Sequence, residues 1–271
     1  MADEKKKRNA ILAKMDADGD GEFTIEDVVY ASFRTPGVYI GRESFLRKQF
    51  SGYTASMVGD AVARTPALAG IPAEEIDRLA DEAIRGERAK ATGVSAALGM
   101  PGGAAIAATI PADLLQYYGF LLRIVQKLIY LYGFPDVDAD PEEGIQPDGE
   151  MMDTLILCLG VMYGVAGSEI ALKAMANGLA KGMGKKMMGL VLKKGSIKPV
   201  VKQISKWFGL RLGRSVAAGA AGKMVPVLGG VVAGSITFFS FRSGCARLKR
   251  ELRQTGLADP ASLGPEDTPE E

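Results

Sequence analysis

Three long stretches of this 271-residue chain carry no charged residue: 91–112, 154–168 and 224–241. They are rich in alanine, glycine and aliphatic side chains, and strand signals are weak throughout the chain. Apolar spacing typical of helices dominates elsewhere, so the sequence predicts an all-α fold of several Gly/Ala-rich helices. With 47% hydrophobic residues, the chain is long enough for one large domain or two modest ones.

Turn residues and apolar spacing divide the chain into helices. The helix that begins at Pro72 has an apolar stripe, and we predict that its charged face is solvated. The stripe consists of Ile76, Leu79, Ala80 and Ala83. The predicted helices cover about 2–15, 24–34, 42–50, 51–64 and 114–132, with others starting at Pro72 and near Met151.

The net charge of +1 conceals a strong segregation of charge. Residues 170–250 contain 16 basic and no acidic residues, whereas residues 1–169 contain 16 basic and 26 acidic ones. Such a basic region favours an anionic partner, and an anionic membrane surface is the partner predicted here. The predicted membrane-binding residues are Lys181, Lys185, Lys186, Lys193, Lys194, Lys198, Lys202, Lys206 and Trp207.

Other kinds of partner fit the basic region less well or stand as alternatives to a lipid surface. Nucleic acid is disfavoured, because lysines outnumber arginines and the aromatic residues suited to base stacking are not interleaved with them. A membrane protein, a soluble partner of a scaffold, or the acidic half of the same chain are the alternatives. The sequence does not predict the oligomeric state.

Two apolar stretches are candidates for helices that span a membrane. Residues 114–132 have the right length, but Arg123 and Lys127 interrupt them, and residues 224–241 contain three glycines and a proline. The N-terminal segment is not a secretory signal, because an acidic loop follows its basic residues. We therefore expect a cytoplasmic protein that associates peripherally with the membrane rather than an integral one.

The segment "DADGDGEFTIED", residues 16–27, has the spacing of a loop that binds a hard divalent cation. It resembles the loop of the EF-hand family, which the flanking predicted helices also match. The last ligand of that family is usually a glutamate, and the shorter Asp27 stands here, which weakens calcium binding and favours magnesium. The alternative is a solvated acidic turn. The predicted calcium or magnesium ligands are Asp16, Asp18, Asp20, Glu22, Thr24 and Asp27.

The chain contains no histidine, which excludes catalysis by a histidine base and metal sites built on imidazole. Cys158 and Cys245 stand in apolar surroundings without zinc spacing, so we predict buried thiols in a reducing compartment. A function in binding rather than catalysis is predicted. Asp113 follows Pro111 and is interpreted as an acid in the first turn of its helix. A carboxylate-based enzyme with Asp113 and Tyr117 in an apolar pocket is the alternative.

Residues of about 93–252 resemble the EcsC family of bacterial proteins. The resemblance rests on "GMPGGAAIAATIPADLLQYYGFLLRIVQKLIYLYG", "LILCLGVMYGVAG" and "GRSVAAGAAGKMVPVLGGVVAGSITFFSFRSGCARLKREL". It implies a small helical, membrane-associated protein without a defined enzymatic activity. The predicted regions are an EF-hand-like unit at 1–36, a helical region at 37–90, an EcsC-like domain at 91–252 and a disordered acidic tail at 253–271.

Overall fold

The computed structural model describes residues 24–98, 106–136, 147, 149–182, 197–221 and 228–262, with side chains except at 92–98, 106–114, 210–221, 228–240 and 262. These residues form nine α-helices and no strand, which confirms the all-α fold. The helices are α1 (Ile25–Phe33), α2 (Arg42–Gln49), α3 (Ala55–Ala63), α4 (Ala73–Leu98), α5 (Ile106–Leu131), α6 (Gly149–Tyr163), α7 (Ser168–Ala180), α8 (Ile197–Ala221) and α9 (Leu228–Arg253). A short 3-10 helix follows at Pro260–Ser262.

Two helices, α5 and α6, lie at the centre of the fold. Every side chain from Met151 to Met162 of α6 is buried, and so are most of those in the second half of α5. A helix that is apolar on all sides must be surrounded by other helices. Helices α1, α2, α4, α8 and α9 pack on α5, while α1, α7, α8 and α9 pack on α6.

The described helices of the acidic N-terminal half share one core with the rest of the described chain. One continuous cluster of buried side chains extends from Ile25 in α1 to Leu257 after α9. Helix α4 packs along both α5 and α9, so residues predicted as a separate helical region share the core of the predicted EcsC-like domain. Within the described residues, no helix is both long enough and apolar enough to cross a bilayer.

Close approach of α6 and α8 depends on a glycine. A Cβ atom added to Gly160 would lie 2.5 Å from Cδ1 of Ile204 and 3.0 Å from Cβ of Ser168. Because real side chains do not approach so closely, a larger residue at position 160 would force the Ile204 side chain or α8 itself to shift. Gly160, in the uncharged stretch 154–168, thus allows the basic helix α8 to pack directly on the core.

Helix α5 differs from the prediction at its start. It begins at Ile106, five residues before Pro111, and continues to Leu131. Asp113 is therefore not in the first turn, and the interpretation of Asp113 as a charge at a helix N-terminus was wrong. Proline lacks the N–H that would bond to the carbonyl four residues earlier, and its ring crowds that carbonyl, so Pro111 weakens the helix locally. Packing of α5 against the neighbouring helices stabilises the helix that continues through it.

The predicted disordered tail starts too early. Residues 253–262 belong to the folded structure, with Thr255 and Leu257 buried. Gly133, at a φ of 94°, brings the end of α5 close to this segment, and an added Cβ would lie 3.0 Å from the carbonyl oxygen of Leu257. The acidic composition of the tail led to the prediction of disorder, although the apolar Leu257 holds this segment in the core. Residues 263–271 lie outside the described residues.

A buried arginine joins three separate parts of the chain. The guanidinium of Arg42 donates hydrogen bonds to the carbonyl oxygens at the end of α3 and to that of Phe134. The distances are 2.8 Å to Phe134 O, 2.9 Å to Arg64 O and 3.2 Å to Ala61 O, and Val62 O is a fourth acceptor. Burial lowers the pKa of Arg42, while Asp136 opposes that shift and helps to retain the positive charge.

Both cysteines are free and buried, as predicted. Cys158 lies in α6 and Cys245 in α9, two helices that pack against each other. Burial raises the pKa of Cys245 to about 12, and it raises the pKa of Cys158 as well. The two residues therefore act as small apolar side chains in the core.

Candidate functional site

The described end of the predicted cation loop is the start of α1. Thr24 has extended backbone geometry and Ile25 is the first helical residue, one residue after the start of the helix predicted over 24–34. Thr24 donates its backbone N–H to Oδ2 of Asp27 at 2.7 Å, and its hydroxyl lies 3.2 Å from the same oxygen. The side chain of Asp27 is fully buried. Thr24 and Asp27, two of the predicted cation ligands, thus lie close together at the start of α1.

Of the six predicted cation ligands, Asp16, Asp18, Asp20 and Glu22 lie outside the described residues. Across the part of the chain that is described, no three or more His, Cys, Asp or Glu residues form a group that could hold a metal ion. The start of α1 is compatible with the predicted loop, and the calcium or magnesium site remains a prediction.

Helix α1 connects the predicted cation loop to the basic region. Its buried face packs on α5, and Ser32 Oγ lies 3.5 Å from the carbonyl oxygen of Leu115 in that helix. At its first turn, Oε1 of Glu26 lies 2.5 Å from Oγ of Ser205 in α8. The other oxygen, Glu26 Oε2, is buried without a hydrogen-bond partner among the described residues. An acidic residue of the loop region therefore contacts the basic helix directly.

A buried ion cluster lies between α4 and α5. The side chain of Glu87 is only 1% exposed and receives hydrogen bonds from two residues of α5. Arg123 Nε lies 2.9 Å from Oε2 and Nη2 lies 3.1 Å from Oε1, while Lys127 Nζ lies 2.6 Å from Oε1. Lys90 of α4 is a third cation, 3.3 Å from Oε1. A single carboxylate thus faces three positive charges.

The protonation state of Glu87 follows from this geometry. Burial alone disfavours the ionised form, but the hydrogen bonds from Arg123 and Lys127 outweigh burial and lower the pKa of Glu87 to about 2. Glu87 is therefore ionised at neutral pH. Arg123 also donates a hydrogen bond from Nη1 to the carbonyl oxygen of Gly37, in the turn between α1 and α2.

A cavity of about 530 Å³ opens beside this cluster. It lies between the turn that follows α1 and the first part of α5. Val38, Leu115 and Phe120 contribute to its largely apolar walls, and Lys90 and Arg123 contribute positive charge at its edge. Cavities of this size, apolar with a few polar groups, are typical of sites for small molecules.

The predicted membrane-binding residues fall into two groups. Lys185, Lys186, Lys193 and Lys194 lie outside the described residues. Lys181 lies just after α7 and is exposed, and Lys202 and Lys206 are exposed one turn apart on α8. Lys198 is also exposed at the start of α8, but its Nζ lies 2.7 Å from Oδ2 of the buried Asp153.

Trp207, the only tryptophan, packs in an aromatic cluster between α6 and α8. It is half-buried, and its ring centroid lies 4.9 Å from that of Phe208 and 5.8 Å from that of Tyr163. Part of its surface therefore supports the core, and the remainder is accessible at the basic helix.

Part of the basic region is neutralised by the acidic half of the chain. Lys249 Nζ lies 2.7 Å from Oδ1 of Asp81, and Arg253, just beyond that region, lies 2.8 Å from Oδ2 of Asp77. These pairs join α9 to α4. By contrast, Lys173, Lys202 and Lys206 are exposed and form no ion pair with any described residue.

Tyr117, which the alternative site places with Asp113, lies on α5. The hydroxyl of Tyr117 lies 2.9 Å from that of Tyr163 and joins the aromatic cluster between α6 and α8. The side chain of Asp113 lies outside the described residues.

Comparison with protein-family models, with curated proteins and with solved structures finds no match to this chain. The resemblances to the EcsC family and to the EF-hand family therefore remain hypotheses from the sequence motifs.

The ion cluster was not predicted from the sequence, because all charged residues of α4 were expected on a solvated face. Glu87 instead continues the apolar stripe at the spacing of Ile76, Ala80 and Ala83. A charged residue at a core position was the available signal, and the pair Arg123 and Lys127, one turn apart on α5, was its complement.

Proposed function

We propose that this chain is a non-enzymatic, EcsC-like protein that binds peripherally to an anionic membrane surface through its basic region, residues 170–250. A calcium or magnesium ion at the loop of residues 16–27 braces α1 against the rest of the fold. The observation that carries the proposal is the set of exposed cations, Lys173, Lys202 and Lys206, that no described acidic residue neutralises.

The surface formed by α7 and α8 has a second property that suits a membrane. Ile170 of α7 is 77% exposed, which is unusual for a large aliphatic side chain, and Lys173 follows it at one turn. Helices α7 and α8 pack together, with Gly167 beside Val200 near the first turn of each helix. An exposed aliphatic residue among cations can enter the lipid interface while the lysines contact the headgroups.

Replacement of Lys202 and Lys206 by glutamine tests this surface. Each cation near an anionic leaflet contributes roughly 1 kcal/mol, so the double variant is expected to bind vesicles about 30-fold more weakly at low salt. Sedimentation with vesicles of phosphatidylglycerol and phosphatidylcholine measures the bound fraction. Binding of the unmodified chain is expected to fall with added salt and to be absent with pure phosphatidylcholine.

The matched control replaces two exposed cations of the acidic half, Lys48 and Arg64, by glutamine. This variant loses the same charge and is expected to bind as well as the unmodified chain. Equal weakening by both double variants would show that only net charge matters. If the unmodified chain does not sediment with anionic vesicles at any salt concentration, a soluble scaffold or partner-binding protein becomes the better interpretation.

The bracing role of the cation is supported by the position of α1. Its buried side chains Ile25, Val28, Val29 and Phe33 pack in the common core, so α1 is not an independent unit. Its first turn contacts α8 through Glu26 and Ser205. A cation at the preceding loop would order the residues that lead into this contact, since hard cations gather oxygen ligands from one continuous loop.

Titration of calcium and of magnesium into the full chain by calorimetry tests the cation site. One site per chain is expected, and Asp16→Ala is expected to abolish the heat because it removes the first ligand of the loop. Asp60→Ala, an exposed acid on α3, is the matched control and is expected to leave the heat unchanged. Equal heats for all three proteins, or none for the unmodified chain, would identify residues 16–27 as an acidic turn.

A further inference from the structure

The cavity beside Glu87 has an excess of positive charge. Lys90, Arg123 and Lys127 all lie within 3.3 Å of the Glu87 carboxylate, and among the described residues no other acid pairs with them. The cluster of Glu87 and these three cations therefore carries a net charge of +2. Two of its three cations, Lys90 and Arg123, also line the cavity. Positive charge at the edge of a low-dielectric cavity attracts an anion more strongly than a solvated lysine does.

Hydrogen-bond donors remain for such an anion. A guanidinium has five N–H donors. In the described structure, Arg123 directs two to Glu87 and one to the carbonyl oxygen of Gly37. The ammonium of Lys90 has three donors and directs one to Glu87. Its side chain is 58% exposed, so it can reorient towards a ligand at low cost.

Most of the remaining lining of the cavity is apolar. Val38, Leu115 and Phe120 contribute walls, and Gly119 allows Val38 to pack closely on α5, since an added Cβ would lie 3.1 Å from Cγ2 of Val38. A compact anion such as inorganic phosphate would fill only the charged edge and would leave these walls in contact with water. A neutral hydrocarbon would cover the walls but leave the charge of the cluster without a partner.

We propose that this cavity binds a single-chain lipid with an anionic head group, such as a fatty acid, with the head at Lys90 and Arg123 and the chain along the apolar walls. Such an amphiphile matches both parts of the cavity, the charged edge and the apolar walls. This site is distinct from the basic surface of α7 and α8, and the proposal does not depend on whether that surface binds a membrane.

Calorimetric titration of the full chain with decanoate, below its critical micelle concentration, tests this proposal. One molecule is expected per chain. Lys90→Gln is expected to weaken decanoate binding about five-fold, since an exposed charge pair contributes up to about 1 kcal/mol. Decanol is expected to bind Lys90→Gln and the unmodified chain equally, and acetate is expected not to bind, because it lacks the apolar chain.

Two further variants make the result specific. Lys48→Gln removes an exposed lysine that does not line the cavity and is expected to leave decanoate binding unchanged. Gln116→Phe adds apolar volume at the cavity wall and is expected to reduce binding of both decanoate and decanol. Absence of decanoate binding at millimolar concentration would overturn the proposal. Equal affinities of Lys90→Gln and the unmodified chain, or several molecules bound per chain irrespective of the variant, would overturn it too.

Discussion

Glu87→Gln is expected to lower the free energy of unfolding by about 3 kcal/mol at neutral pH, because it removes the one carboxylate among the described residues that compensates a buried cluster of cations. The side chains of Arg123 and Lys127 are 21% and 16% exposed, so water can replace the lost carboxylate only in part. Unfolding in urea, followed by the helical circular dichroism signal, measures the change.

Glu82→Gln provides the matched control on the same helix. Glu82 pairs with Arg78 at the exposed surface, where such pairs contribute less than about 1 kcal/mol. A third variant replaces Glu87, Arg123 and Lys127 together by methionine, and it is expected to recover most of the stability because no unpaired charge remains buried. Similar losses for Glu82→Gln and Glu87→Gln would contradict the buried role of Glu87.

The contribution of Glu87 to stability is expected to depend on pH in a defined window. Its pKa in the folded chain is about 2, below its ordinary value of 4.5, so the folded state favours the ionised form. The stabilisation is therefore complete above pH 4.5 and is lost as the pH falls from 4.5 to about 2. The difference in unfolding free energy between Glu87→Gln and the unmodified chain is expected to shrink over the same range.

Arg42→Met is expected to lower the free energy of unfolding by about 4 kcal/mol, since several buried carbonyl oxygens lose a charged donor at once. Arg42 connects the start of α2 to the end of α3 and to Phe134 after α5. Arg42→Lys keeps the charge but cannot span this set of acceptors, so it is expected to lose about half as much. Urea unfolding measures both variants.

Arg47→Met is the matched control within α2. Arg47 is exposed and pairs with Glu43 one turn away, and its replacement is expected to cost less than about 1 kcal/mol. A loss for Arg42→Met that does not exceed the loss for Arg47→Met would show that the carbonyl oxygens find other partners, including water.

Local patterns predicted the parts of the fold that depend on local chemistry. The predicted helix of 24–34 corresponds to α1, and the predicted helix of 42–50 corresponds to α2. In both, turn residues precede a short amphipathic segment, and the capping pair of Thr24 and Asp27 fixes the first boundary. The Asp27 position, predicted as the end of a cation loop, is also the position at which an acid stabilises a helix start.

The sequence was less informative where tertiary packing decides the outcome. Arg42 and Glu87 look like ordinary surface charges, and only their partners from distant segments, Phe134 and Arg123, make burial favourable. The start of α5 is a second example. Pro111 predicts a boundary from local preference, but packing of α5 in the core stabilises a helix that begins at Ile106.

The buried cysteines give this fold a measurable property. An alkylating reagent attacks the thiolate, and both the raised pKa values and the complete enclosure of Cys158 and Cys245 prevent that attack in the closed fold. Modification therefore requires the helices that pack around α6 and α9 to separate. The rate at which the two sulfur atoms react then reports how often the centre of the molecule opens, without any added label.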